Sequence, residues 1–278
     1  MGDLHRILTV LTEVRRRLFR LAIVLVPIFG FLLVFKIVFV PWTLGPISMM
    51  VPVPYPSLFY NVSAQIFGWL VTDMLPSGVQ LLNIGVGDSV MVQLEIALLV
   101  TLALGMPWIA HELGAFLVPA LRANERRLIR NIAIPASGLF LAGTLAGLFV
   151  LTPFTYLILF EYVSALGIPA SMGVQNFVTF TLLYSVAFGV VCELPVFIYA
   201  LTRLGVVPAA AWRKHWRAAV IGSLIFGMLI TPDNSGITMC LIALPMMGLY
   251  FGGAYFARRF ERQRARRRAG PVAPPVAG

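Results

Sequence analysis

The segment VLTEVRRRLFRLAIVLVPIFGFLLVFKIVFV (residues 10–40) decides the fold. Arg15, Arg16 and Arg17 stand directly against an apolar run that begins at Leu18 and lasts past residue 30. A secretory leader has an apolar core of about 7–15 residues and then a small-residue cleavage site. Here the run is longer, no A-x-A triplet follows it, and Pro27 and Gly30 interrupt it without ending it. The segment therefore reads as a retained membrane span over residues 18–40, with Arg20 snorkelling at its inner end and Lys36 near its outer end. Ahead of the span, Leu4, Ile7, Leu8, Leu11, Val14 and Leu18 share one helical face, as in a helix lying on the inner surface. Glu13 lies mainly on the opposite face with Arg16, Arg17 and Arg20. Its simplest role is an ion pair with Arg17 at i+4, worth about 0.2–0.5 kcal/mol.

The rest of the chain repeats this pattern. Of 278 residues, 59% are apolar and 12% charged, with a mean hydropathy of +0.90. Soluble domains carry about 25% charged residues. In lipid only helices or closed barrels satisfy their own backbone. The apolar stretches are long and lack strand alternation, so the fold expected is an all-α integral membrane protein. The net charge of +10 does not indicate nucleic acid, because its placement has another cause. Lys and Arg are confined to residues 6–20, 122–130, 203–217 and 258–268, apart from Lys36. Islands of this kind between pairs of apolar segments are the positive-inside pattern.

Six transmembrane helices follow, with both termini inside: residues 18–40, 89–110, 131–151, 174–201, 218–230 and 237–256. Spans five and six are short against the roughly 20 residues a crossing needs. Gly143 and Gly147 in span three suit close helix approach. Residues 41–87 form a long first outer loop, rich in proline, with helical spacing of apolar residues over 58–75. Residues 152–173 are expected as an outer loop. Residues 1–257 form one membrane domain, and 258–278 a basic, then Pro/Ala-rich, disordered cytoplasmic tail.

Recognisable catalytic chemistry is sparse. His111-Glu112 begins HELGA, which lacks the second His of H-E-x-x-H, and no Gly-rich phosphate loop is present. Cys192 and Cys240 lie in apolar stretches without metal spacing. The informative groups are acids at membrane depth, where an ionisable side chain marks function by default. Glu193 is one, two residues before the helix-kinking Pro195; Glu95 in span two is another.

Four stretches, taken in order, resemble the TatC subunit of the twin-arginine protein translocase. VLTEVRRRL (10–18) resembles the family's amino-terminal H-L-x-E-L-R-x-R-L, and FLVPALRANERR (116–127) its F-x-x-P-G-L-y-x-x-E-r-r loop. FGVVCELPV (188–196) resembles F-G-x-x-F-E-x-P, and TP (231–232) with ALPMMGLY (243–250) resembles the last turn and span. The resemblance covers about residues 8–257 and is poor over 41–87.

It implies a receptor for signal peptides with paired arginines, in a translocase of the plasma membrane that exports folded proteins on the proton-motive force. It implies partners of the TatA and TatB type, each with a single span, in an oligomeric complex, with no cofactor and no covalent reaction. By matching positions, Glu13 and Glu125 would contact the arginines of an incoming signal, and Arg15, Arg17, Phe116, Pro119 and Arg126 would shape that inner-face site. Glu193 would face the concave intramembrane side. Thr231 and Thr238 would meet partner helices. Glu112, where the family usually has Gln, adds a third inner acid, and Glu95 replaces a usual Lys, whose role is not transferred. A second reading is a proton-coupled small-molecule transporter using Glu193, although the six spans show no internal repeat.

Overall fold

The computed structural model describes residues 2–44, 47–117, 123–231 and 236–269, with side chains over 11–41, 50–112, 132, 134–231 and 236–263. Helix α1 (Gly2–Val34) absorbs both the amphipathic segment and the first apolar run in one rod. Helix α3 (Asp88–Leu117) returns beside it. Helix α4 (Ala123–Ala146) continues through a π turn (Gly147–Leu151) into α5 (Thr152–Ala165). Then come α6 (Val174–Cys192), α7 (Leu194–Leu204), the short α8 (Ala209–Lys214), α9 (Trp216–Ile230) and α10 (Ile237–Ala269). Five helical stretches are long and apolar enough to cross a membrane: 11–34, 88–112, 134–165, 174–204 and 237–263. The stretch through α6 and α7 is the centre of the bundle, with 56% of its apolar window buried, and α1 is the periphery, with 6%. Leu18, Phe19, Ile23 and Val26 of α1 are exposed, which in water would be untenable and in lipid is the ordinary state of an outer helix.

Several expectations need correcting. Span three does not end near residue 151. Pro153 lacks the N–H that would bond one turn back, and the chain responds with the π turn rather than by stopping. The Thr152 N–H bonds the Gly147 carbonyl, and the Thr152 hydroxyl bonds the same oxygen at 2.9 Å, so α5 continues across what reads as a loop. Span six is not short, since α10 runs unbroken to Ala269. Its basic segment FARRFERQRARRRA is made of good helix formers with neither Gly nor Pro, and so starts as helix where an irregular tail was expected. Residues 270–278 lie outside the described residues. Only α9 is short, about 22 Å at 1.5 Å per residue, against about 30 Å of hydrocarbon.

The chain is also not purely helical. The first apolar run leaves the helix at Val34, and strands β1 (Phe35–Leu44) and β2 (Ile47–Pro56) form an antiparallel hairpin. The register pairs Pro41 with Met50, Phe39 with Pro52, Ile37 with Pro54 and Phe35 with Pro56. All four prolines thus fall in the alternating class that exchanges no hydrogen bonds across an antiparallel ladder. Ile37 agrees: its N–H and C=O face away from β2 and bond the Gln65 amide at 3.2 and 2.9 Å. Gln65 belongs to α2 (Val62–Met74), the helix anticipated within 58–75. This helix packs into the bundle through Val62, Leu70 and Met74. Its N-cap Asn61 is 1% exposed and donates to Leu33 O, Leu58 O and Gln93 Oε1. Strands β3 (Gln80–Leu82) and β4 (Ser171–Gly173) pair in parallel and tie the loop after α2 to the α5–α6 connection.

The main core surrounds α6, where Tyr156, Phe177, Phe180 and Tyr184 stack with ring centroids 5.1–5.6 Å apart. Hydroxyls run beside the rings: Tyr156 to Thr181 at 2.9 Å, Thr155 to the Tyr184 hydroxyl at 3.1 Å, and Ser185 to Thr181 O at 2.6 Å. Glycines let α4 meet α6 as the sequence anticipates for Gly143 and Gly147. A Cβ at Gly147 would stand 2.9 Å from Ser185 Cα, and one at Gly143 2.6 Å from Cys192 Cβ. Gly189 answers from α6, with Phe140 O at 3.0 Å.

Two measurements check this framework. Gly147→Ala is expected to cost about 1–3 kcal/mol, since backbone must shift, and to lower the thermal midpoint in detergent; Gly138→Ala, with open space around it, is not. The double substitution Val38→Cys, Val53→Cys is expected to cross-link spontaneously, read by intact mass under oxidising conditions. Those two positions are register partners, and a cross-linkable pair needs Cα atoms about 4.4–6.8 Å apart.

Candidate functional site

Polar side chains that the apolar bundle cannot absorb collect at the end where α1 begins and α3 finishes. Glu13 and Arg17 lie one turn apart on α1, and the guanidinium closes on the carboxylate with Nη2 2.5 Å and Nε 3.2 Å from Oε1. The same guanidinium reaches α3, where its Nη1 bonds Glu112 Oε2 and the Glu112 backbone carbonyl, both at 3.3 Å. Arg20, a turn further along α1, approaches Glu112 Oε1 at 3.5 Å. Among the described side chains, two acids and two arginines thus form one cluster of balanced formal charge joining α1 to α3. The Glu112 side chain is only 4% exposed, whereas Glu13 at 36% and Arg20 at 43% open to the surface.

This burial gradient determines what each acid can do. An isolated buried carboxylate is strongly disfavoured, and its arginines make Glu112 tenable. Glu13 is about a third exposed while its Arg17 partner is mostly covered, so the carboxylate can be reached from the surface by a further guanidinium. Arg17 bonds both acids, and therefore displacing it from Glu13 need not strip Glu112 of charge compensation.

The Glu13–Arg17 pairing is the one that the i+4 spacing predicts. Arg15 is exposed. Phe116 lies on the last turn of α3, and Glu125 and Arg126 on the first turns of α4, but their side chains, and all of Pro119, are outside the described residues. The sequence treated Arg20 as a snorkelling residue and missed its contact with Glu112. The signal was present in its position, one turn after Arg17 on the same face as Glu13.

The other acids are elsewhere. Glu193 forms the joint between α6 and α7: its N–H bonds Val190 O, Pro195 lacks a donor, and Phe197 N–H resumes the helix on Glu193 O. The Glu193 Oε1 is buried and finds no hydrogen-bond partner among the described residues. Glu95 links α3 to α6 near the hairpin end, accepting from Thr179 Oγ1 at 2.7 Å and Gln175 Nε2 at 3.4 Å. At the α9–α10 turn, Thr231 and Thr238 are buried, and the Thr231 hydroxyl bonds Gly227 O at 3.0 Å. Asp233 lies outside the described residues.

A family model described as "Sec-independent protein translocase protein (TatC)" matches residues 9–245. A Sec-independent protein translocase protein TatC from Cenarchaeum symbiosum is 39% identical over 253 residues, 91% of this chain and 94% of its own. The protein of the same name from Escherichia coli strain K12 is 27% identical over 92% of this chain and 89% of its own. Two solved structures described as the twin arginine translocase receptor TatC share the fold. Their TM-scores are 0.68 and 0.71 at 21% and 23% identity, covering 90% and 89% of this chain and 98% and 99% of theirs. The relatives are named as parts of a translocase rather than as enzymes, which leaves the small-molecule transporter reading without support. The family model covers most of the chain, the chain spans nearly the whole of the Cenarchaeum symbiosum relative, and so it belongs to the TatC family of Sec-independent protein translocase proteins.

Proposed function

We propose that this chain is the signal-peptide receptor of a translocase that exports folded proteins on the proton-motive force, and that Glu13 is a carboxylate reading the signal's arginine pair. The observation that carries the proposal is the shared guanidinium of Arg17, bonded to surface-opening Glu13 and buried Glu112 at once. That is a resting state already occupied by a local arginine. An incoming guanidinium replaces like with like at Glu13, by bidentate pairing. Glu125 takes the second arginine in this reading, with Arg15, Phe116, Pro119 and Arg126 shaping the groove.

The chain crosses the plasma membrane six times with both termini in the cytoplasm, α9 being the shortened fifth span. Basic residues at the end shared by Arg17, Arg203 and Arg258 support that orientation. Single-span partners of the TatA and TatB type dock along α9 and α10, where exposed Met228, Leu229 and Ile237 surround buried Thr231 and Thr238. Glu193, whose Oε1 has no hydrogen-bond partner among the described residues, sits in the concave intramembrane face.

Titration of a twin-arginine signal peptide against the detergent-solubilised chain tests the site. Glu13→Ala and Glu125→Ala are each expected to weaken binding by about ten- to a hundredfold, the loss of one charge-assisted hydrogen-bond pair. Glu161→Ala, on exposed α5 at the opposite end, leaves affinity unchanged. Equal affinity in the Glu13, Glu125 and wild-type chains refutes the assignment.

A further inference from the structure

Close to the basic end of α10, the neighbouring carboxylate is engaged elsewhere. Glu261 turns Oε1 to the Ala209 N–H at 3.0 Å and holds the first turn of α8. Nearby Arg203 is also committed, bonding the Tyr199 hydroxyl at 2.8 Å and lying over the rings of Tyr199 and Phe260. Among the described residues, no carboxylate comes within ion-pair distance of Arg258, Arg259 or Arg262. These three line a cleft of about 350 Å³ with Tyr255 and Gln263. On the other flank of α10, Arg258 and Arg262 join Arg213 and Lys214 of α8 around a hollow of about 470 Å³.

Arg259 and Gln263 also line a neighbouring groove of about 560 Å³ between three helices. Its walls are apolar: Ile132 and Pro135 of α4, Pro195 and Tyr199 of α7, Phe256 and Phe260 of α10. Cationic cleft and apolar groove thus adjoin across Arg259 and Gln263, and the junction falls where exposed Tyr255 and Phe256 end the apolar part of α10. Aromatic side chains of this kind mark the level of lipid headgroups.

We infer that this junction is a binding site for an anionic phospholipid, with the phosphate held by Arg258, Arg259 and Arg262 and an acyl chain laid in the α4–α7–α10 groove. Guanidinium groups match phosphate oxygens bidentately. A free phosphate has no use for the groove, and an acidic peptide would fill the cleft while leaving the groove unoccupied. A lipid fills both. The inference goes beyond signal recognition and does not depend on it.

Native mass spectrometry of the full chain in non-ionic detergent tests the site, with dioleoylphosphatidylglycerol and dioleoylphosphatidylcholine as probes. The expected result is a preference for the glycerol lipid of about tenfold or more, since each basic residue adds to the attraction, with a raised melting temperature for that lipid alone. Substituting Arg258→Gln, Arg259→Gln and Arg262→Gln together is expected to abolish the preference. Val196→Trp, which obstructs the groove and leaves the arginines in place, should lower retention of the lipid without changing protection by inorganic phosphate. Equal retention of the two lipids, or undiminished preference in the triple variant, overturns the inference. Protection by inorganic phosphate or by an oligo-glutamate peptide equal to that of the lipid also overturns it, by identifying a free anion or an acidic protein segment as the occupant. Should the triple variant fail to fold, Val196→Trp and the competition on the unaltered chain still decide.

Discussion

Hydrocarbon offers no hydrogen bonds, so a chain in lipid must satisfy its own polar groups, and this constraint shapes each irregular feature of the bundle. Where Pro153 removes a donor, the π turn redirects both the Thr152 N–H and the Thr152 hydroxyl to Gly147 O. Where Pro195 removes another, the chain makes a tight turn at Glu193 and restarts. Hydroxyls elsewhere bond the carbonyl one turn behind, as Thr155 does to Leu151 O, Ser223 to Ala219 O and Thr231 to Gly227 O. Such back-bonding is a helix-bending liability in water. Here it lets polar residues stand in spans without seeking partners across the lipid.

The same constraint explains what the sequence made legible. The presence of long apolar helices and their separation from basic segments follow from composition, because lipid leaves little alternative to a long apolar helix. Gly143 and Gly147 could be assigned to a helix seam because close approach needs a missing Cβ. The hairpin was hidden because prolines 41, 52, 54 and 56 read as loop. Only their even spacing, which places every one in the non-bonding class of a ladder, carried the strand signal. The extension of α5 was hidden for a related reason. A proline normally ends a helix, and whether the chain stops or inserts a residue depends on a hydroxyl and a carbonyl meeting in three dimensions.

At the inner site, local spacing predicted one contact and missed another. Glu13 with Arg17 is a matter of one helical turn. Glu112 with Arg17 and Arg20 joins residues about 95 positions apart, and no periodicity relates them. What the fold adds is asymmetry. Glu112 is sealed between α1 and α3, and Glu13 stays partly open, so two chemically identical acids differ through depth alone in what can reach them.

The hairpin has one further consequence. A two-stranded ribbon exposes two raw edges, and each is a template on which another extended chain can nucleate a strand. Along β2 three of the outward positions, Pro52, Pro54 and Pro56, have no N–H to give. Along β1 the outward groups of Ile37 are taken up by Gln65, and Pro41 blanks another. Both margins are therefore short of donors, which makes the ribbon a poorer template for a further strand than its length alone suggests.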